Sequence, residues 1–167
     1  KQGFIDMKKN LSLFLALTTV IFSLSACSGG KNRSSFLKEH VSDYNITETA
    51  RRISAALEPK NYHLLRSIDQ EQRAAAIKMY LKPTLTLEID NPKISAKLLD
   101  CNPTMAVDLP LRIGIYNELN GTTHLVYTNP EYWSLKHNIK EKTCIDLINL
   151  MARDLDIASD AVKKVHR

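Results

Sequence analysis

Apolar side chains recur along this chain with two different periods, and the switches between them outline the fold. Residues 36–43 form the candidate first strand. Ile46, Ala50, Ile53 and Leu57 then fall at i, i+4, i+7 and i+11, on one face of a helix that Asn45 or Thr47 can cap and Pro59 stops. Residues 62–68 read as a strand in which Tyr62, Leu64 and Ile68 share a parity that Arg66 interrupts. The alanine-rich segment 70–81 favours helix and ends before Pro83. Leu85, Leu87 and Ile89 alternate with Thr84, Thr86 and Glu88, the pattern of a half-buried strand. A short helix over 92–99 opens on Pro92, and Asn102-Pro103 marks a break. Segments 111–117 and 122–127 flank Asn120-Gly121, a strong local hairpin signal, with Leu111, Ile113 and Ile115 on one side and Arg112, Gly114 and Tyr116 on the other. Spacings of three and four from Cys144 through Leu147, Ile148, Met151, Leu155, Ala158 and Val162 to Val165 predict a closing helix over 143–165. Its terminal Lys163, Lys164, His166 and Arg167 suit the negative end of the helix dipole. Strands and helices do not alternate strictly, and one connection is a firm hairpin. The expected class is α+β: a mainly antiparallel sheet with helices packed on one face.

A different pattern occupies the first thirty-five residues. Met7-Lys8-Lys9-Asn10 is a short basic stretch, 11–24 is a fourteen-residue, predominantly apolar run, and Ser25 and Ala26 are small, which is the layout of a secretory signal. The apolar run falls short of the ~20 residues that a spanning helix needs. Leu24-Ser25-Ala26-Cys27 resembles the bacterial lipobox, in which cleavage precedes the cysteine and its sulfur takes a diacylglycerol. On this reading residues 1–6 are an artefact or a mis-set start, 7–26 a lipoprotein signal peptide, and 27–35 a lipidated Cys27 with a flexible Gly/Ser tether. Residues 36–167 are then one domain. Such a tether spans about 15 Å, which holds the domain close to the membrane. Ser28 after the cysteine resembles outer-membrane sorting, so the expected location is the outer membrane, facing the periplasm.

Processing changes the charge. The whole chain carries a formal +5; without Lys1, Lys8, Lys9 and Asp6 it carries about +3. That charge is small and scattered, unlike the clustered basic face of a nucleic-acid binder, so no nucleic acid is expected as a partner. Of the two remaining cysteines, Cys101 and Cys144, the favoured reading is a pair of small buried apolar residues. A disulfide is the alternative that export would permit.

Residues 91–137 carry a resemblance. Asn91-Pro92-Lys93, then Asn102-Pro103, Ala106-Val107-Asp108-Leu109-Pro110-Leu111, then Tyr127-Thr128-Asn129-Pro130 with Tyr132, Leu135 and His137, follow in the order typical of the domain of unknown function 302 family. Its members show G-N-P-x-x-G-T-x-L-M, N-P…A-x-D-L-P-L, a hairpin, and Y-x-D-P-x-x-L-x-x-R-H. The resemblance implies a small α+β domain of the TATA-box-binding-protein-like class that is able to form a homodimer, with no settled activity. Two departures stand out. Many members carry Asp-His after the second strand, where this chain has Asp69-Gln70. The glycine-bearing turn is here Asp90-Asn91-Pro92-Lys93-Ile94-Ser95-Ala96, more crowded for any ligand that needs close backbone approach.

Five polar residues are candidates for a ligand site: Asp69, Asn91, Asp108, Tyr127 and His137. Each has a structural role to weigh against it. Asn91 can cap the helix after it, Asp108 can tie a turn, Tyr127 can pack and hydrogen-bond at a strand end, and a lone histidine is more often satisfied than catalytic. Tyr127, Tyr132 and Trp133 form an aromatic group suited to the core, with an exposed binding surface as the alternative. No metal-ligand spacing, phosphate loop, dinucleotide fingerprint or nucleophile elbow appears, so neither metal nor cofactor is expected. Two functions compete: a lipid-anchored module binding a small ligand or an envelope protein partner, and an enzyme using Asp69, Asp108 and His137 as acid and base.

Overall fold

The structure, a computed structural model, describes residues 36–164, which fall in one compact unit spanning 35–167. The expected signal, Cys27 and tether lie outside the described residues. Five strands, β1 (Leu37–Ser42), β2 (His63–Asp69), β3 (Thr84–Asp90), β4 (Leu111–Asn117) and β5 (Thr123–Thr128), form one antiparallel sheet in the order β1-β5-β4-β3-β2. Five helices accompany it: α1 (Ile46–Leu57), α2 (Gln70–Ala76), α3 (Pro92–Cys101), α4 (Trp133–Lys136) and α5 (Lys142–Asp160). The α+β expectation holds.

The alternation in the sequence selects the buried sheet face. Leu87 and Ile89 of β3, Leu111, Ile113 and Ile115 of β4, and Leu125 and Tyr127 of β5 share it and are all at most 2% exposed. Ile53 and Leu57 from α1, Leu98 from α3, and Ile148, Met151 and Leu155 from α5 complete the core. Burying a side chain of this size contributes about 1.5–3 kcal/mol. Trp133 is 1% exposed and Tyr127 2%, so both belong to the core, while the Tyr132 ring packs on Phe36 with centroids 4.3 Å apart.

Caps explain the helix boundaries. Asn45 Oδ1 accepts from Glu48 N at the start of α1, and Asn91 Oδ1 accepts from Ile94 N at the start of α3. The segment 70–81 is helical only to Ala76. Lys78 adopts φ +59°, Met79 N reaches Ala74 O and Lys78 N reaches Ala75 O, a left-handed stop that overrides the alanine-rich propensity. The parity expected for 62–68 also breaks. Tyr62 is buried but Leu64 is 48% exposed, because the β2–β3 register shifts between Leu64 and Arg66. A bulge of this kind turns an edge strand's side chains off the regular alternation. The last helix runs over Lys142–Asp160 rather than to 165, and Asp43 N and Ser42 Oγ both donate to Val162 O just beyond it.

The cysteines depart from the favoured expectation. Cys101 and Cys144 are joined in a disulfide across 43 residues, linking the end of α3 to the start of α5. Nothing local to either position could signal a partner that far away. Among the described residues no helix is long and apolar enough to cross a membrane.

Candidate functional site

Two of the five candidates meet, and the chain builds their meeting from both sides. Asn102 accepts from Thr104 N and so starts a short 3-10 turn, Pro103–Val107, that delivers Asp108 to the mouth of β4. On the other side Asn129 Oδ1 accepts from Glu131 N, the buried Trp133 anchors α4, and Asn138 in the left-handed region (φ 51°) terminates it. His137 is left at the helix end, turned inward and 5% exposed.

There His137 Nε2 lies 2.5 Å from Asp108 Oδ2, and Nδ1 lies 2.7 Å from Thr104 Oγ1. Lys136 Nζ donates to Asp108 Oδ1 at 2.9 Å, and Asn102 Nδ2 donates to the His137 carbonyl at 2.7 Å. Burial pushes the Asp108 carboxyl up, but hydrogen bonds and charge from Lys136 and His137 outweigh it and hold the group below its ordinary range. The network closes in two proton arrangements. With a neutral ring, Nε2–H donates to Asp108 and the Thr104 hydroxyl donates to Nδ1. With a charged ring, both N–H groups donate and the hydroxyl turns to Asn102 Oδ1, 2.9 Å away. A base held by a carboxylate and facing a hydroxyl is the arrangement of an activated nucleophile. The adjoining cavity, bordered by Asp108, Arg112, Thr128 and Trp133, measures about 70 Å³, room for water rather than a substrate.

The other three candidates lie elsewhere. Asp69 caps α2 through Gln72 N and faces Leu85, whereas Leu111, nearest to Asp108 on β4, faces Ile89 at the far end of β3. The proposed Asp69–Asp108–His137 acid–base set therefore does not converge. Asn91 shares the sheet end with Asp108, but both ends of its amide are engaged, with Ile94 N and with the Lys60 carbonyl at 3.0 Å. Tyr127 donates to Asp156 Oδ1 at 2.8 Å and lies 3.3 Å from His40 Nε2; burial and the Asp156 carboxylate push its hydroxyl up.

Sequence reasoning passed over several residues. Thr104 was hidden in a segment read as a break, although the Asn-Pro-Thr run is an Asx-turn signal. Buried Asp154 pairs with Lys60 Nζ at 2.6 Å and faces the Tyr62 hydroxyl at 3.4 Å. Above that pair, α1 and the edge strand β2 frame a groove of about 550 Å³ lined by Arg51, Ser54, Glu58, Tyr62, His63 and Ser67.

Comparison with known proteins places this architecture. A crystal structure of an uncharacterized conserved protein DUF302 from Bacillus stearothermophilus is similar with a TM-score of 0.70 at 20% identity, covering 78% of this chain and 100% of that one. At that identity the likeness is one of fold. No curated protein matches the chain. The family model described as "Domain of unknown function DUF302" matches residues 38–160, most of the chain and nearly all of the described domain. The chain belongs to the DUF302 family.

Proposed function

We propose that this DUF302 domain is carried on a lipoprotein, anchored through Cys27 to the outer membrane and facing the periplasm, where it acts as a binding module for a small ligand or an envelope partner. The address rests on the Leu24-Ser25-Ala26-Cys27 sequence after a basic and then an apolar stretch. The single observation that carries the binding role is the α1–β2 groove. At about 550 Å³ it falls in the range of small-molecule sites, and its wall mixes apolar surface with Arg51, Glu58 and His63. It also runs beside β2, an edge strand among the described residues, whose backbone can pair with an extended segment of a partner.

Two experiments test this. Cells grown with labelled palmitate should yield labelled mature protein, and Cys27→Ala should abolish the label; label on the variant ends the anchor. Chemical-shift mapping of a fragment and peptide library on the folded domain should place hits at Ala50, Ser54 and Ser67. Ser54→Trp should block those hits without lowering Tm. Hits that ignore the groove end the binding role assigned to it.

A second reading, acid–base chemistry, is favoured by the 2.5 Å His137–Asp108 contact facing the Thr104 hydroxyl. An electrophilic hydroxyl-directed probe would acylate Thr104 in the wild type and not in His137→Gln. The small cavity and the fully engaged polar atoms weigh against it, and absence of labelling at Thr104 removes it.

A further inference from the structure

We propose that Cys101, Cys144 and Glu141 form a redox-gated site for a soft divalent cation, zinc in the first place. The site is closed while the disulfide holds and opens when a dithiol reductant converts it to two thiols. The proposal goes beyond the ligand groove, which lies between α1 and β2.

The geometry comes from three elements. Cys101 is the last residue of α3 and Cys144 the third of α5, with Cα atoms 6.3 Å apart, a span that two Zn–S bonds of about 2.3 Å bridge as readily as a disulfide does. Glu141 occupies the N-cap position of α5 but makes no side-chain cap. Its carboxylate lies instead over the sulfur, Oε2 3.4 Å from Cys144 Sγ. One ligand atom from each of the three residues falls within 4.8 Å of the others, the one such trio of cysteine, histidine or carboxylate ligands found among the described residues. Beside it opens a groove of about 500 Å³, bordered also by Lys97, Asp100 and Thr143, which leaves space for a fourth ligand.

The chemistry of the donors selects the ion. Two thiolates favour zinc or another soft cation over magnesium or calcium, and a single carboxylate completes a three-ligand set with an open position. Cys144 lies in the first turn of a nineteen-residue helix, where the exposed backbone N–H groups stabilise a thiolate against the nearby Glu141 charge. The step balances. A reduced dithiol gives two electrons and two protons to the S–S bond and leaves as its own disulfide, while the protein gains two thiols. Both thiol protons are released when the divalent cation binds. A metal joining the same two sulfurs also closes the same loop, so it replaces the staple that reduction removes.

The test uses the processed full chain in three states: oxidised, reduced by a phosphine with chelator present, and reduced with metal added. Cobalt(II), the zinc surrogate, should give thiolate-to-cobalt charge-transfer absorbance at one ion per chain in the reduced protein and none in the oxidised one. Glu141→Gln should weaken binding by about tenfold and keep the charge-transfer band. The double variant Cys101→Ser/Cys144→Ser should lose it. Reduction with chelator should lower Tm by roughly 10 °C, and zinc should restore most of that loss. Should reduction unfold the chain, zinc must bring back the folded circular dichroism. The proposal is overturned if the reduced protein shows no charge-transfer band, if zinc leaves its Tm and fold unchanged, or if the double serine variant binds cobalt as tightly. The disulfide is then a structural staple alone.

Discussion

His137 and His124 both sit more than nine-tenths buried beside carboxylates, yet they are held in opposite ways. His137, at 5% exposed, has an aligned partner for each ring nitrogen, Asp108 and Thr104, and both partners are themselves engaged. His124, at 9%, lies on the other face of the sheet with its ring stacked 5.2 Å from Tyr116. Its Nδ1 is 3.0 Å from Glu39 Oε1 and its Nε2 is 3.5 Å from Glu118 Oε1, but neither contact has the alignment of a hydrogen bond and both nitrogens are enclosed. Those two glutamates stay about half exposed and have other donors, the Tyr116 hydroxyl for Glu39 and Asn120 Nδ2 for Glu118. Proximity to a carboxylate is thus common to both sites; what differs is whether each partner depends on the other. The Asp108 cluster is interdependent, and the His124 cluster is a stacked ring with charges nearby.

The largest break in this comparison comes from Asp108→Ala. It strands a buried His137 N–H and frees Lys136, and should cost about 3 kcal/mol in urea unfolding. A loss under 1 kcal/mol would put the two histidines in the same class. The effect should also depend on pH in a defined direction. The native Asp108 carboxyl binds its proton less readily than the unfolded one, so its contribution is complete above the ordinary value of 3.8 and fades as pH falls through the lower native value. The stability gap between wild type and Asp108→Asn should therefore narrow only in that acid window. A gap that is flat down to full protonation contradicts the pairing. Thr104→Val removes one hydrogen bond from Nδ1 and should cost about 1 kcal/mol. His124→Phe keeps the stack on Tyr116 and loses no aligned hydrogen bond, so its change should stay within about 0.5 kcal/mol of zero. A cost near that of Asp108→Ala would show that the contacts with Glu39 and Glu118 hold the sheet together.

Legibility followed the range of each interaction. The hairpin was visible because Asn120-Gly121 carries its own geometry: Gly121 sits at φ +83° and its N–H donates to Glu118 O. The α3 cap was visible because Asn91 acts on a residue three positions later. The β2 bulge was announced only by Arg66 spoiling the parity, and the early end of α2 ran against composition, since nothing in an alanine-rich stretch marks Lys78 for a left-handed turn. The His137 partners were beyond reach. Asp108 precedes it by 29 residues and Thr104 by 33, so only the assembled chain selects them over Asp69 and Tyr127. The disulfide belongs to the same class, with a sequence separation of 43 between its ends.

One tie at the domain's rim bears on when the fold can complete. Asp43 donates through its backbone to Val162, and its carboxylate accepts from Lys164 N, so the segment that leaves β1 is fastened to the turn that follows α5, 121 positions away. The sheet order repeats the theme, since among the described strands β1 pairs with β5 alone. Closing the tie therefore waits until the whole stretch between its two ends has come together, the slow kind of contact in folding. Ending the chain after Ala161 removes the Val162 carbonyl and the Lys164 N–H together, and should open the segment beside β1 to proteases.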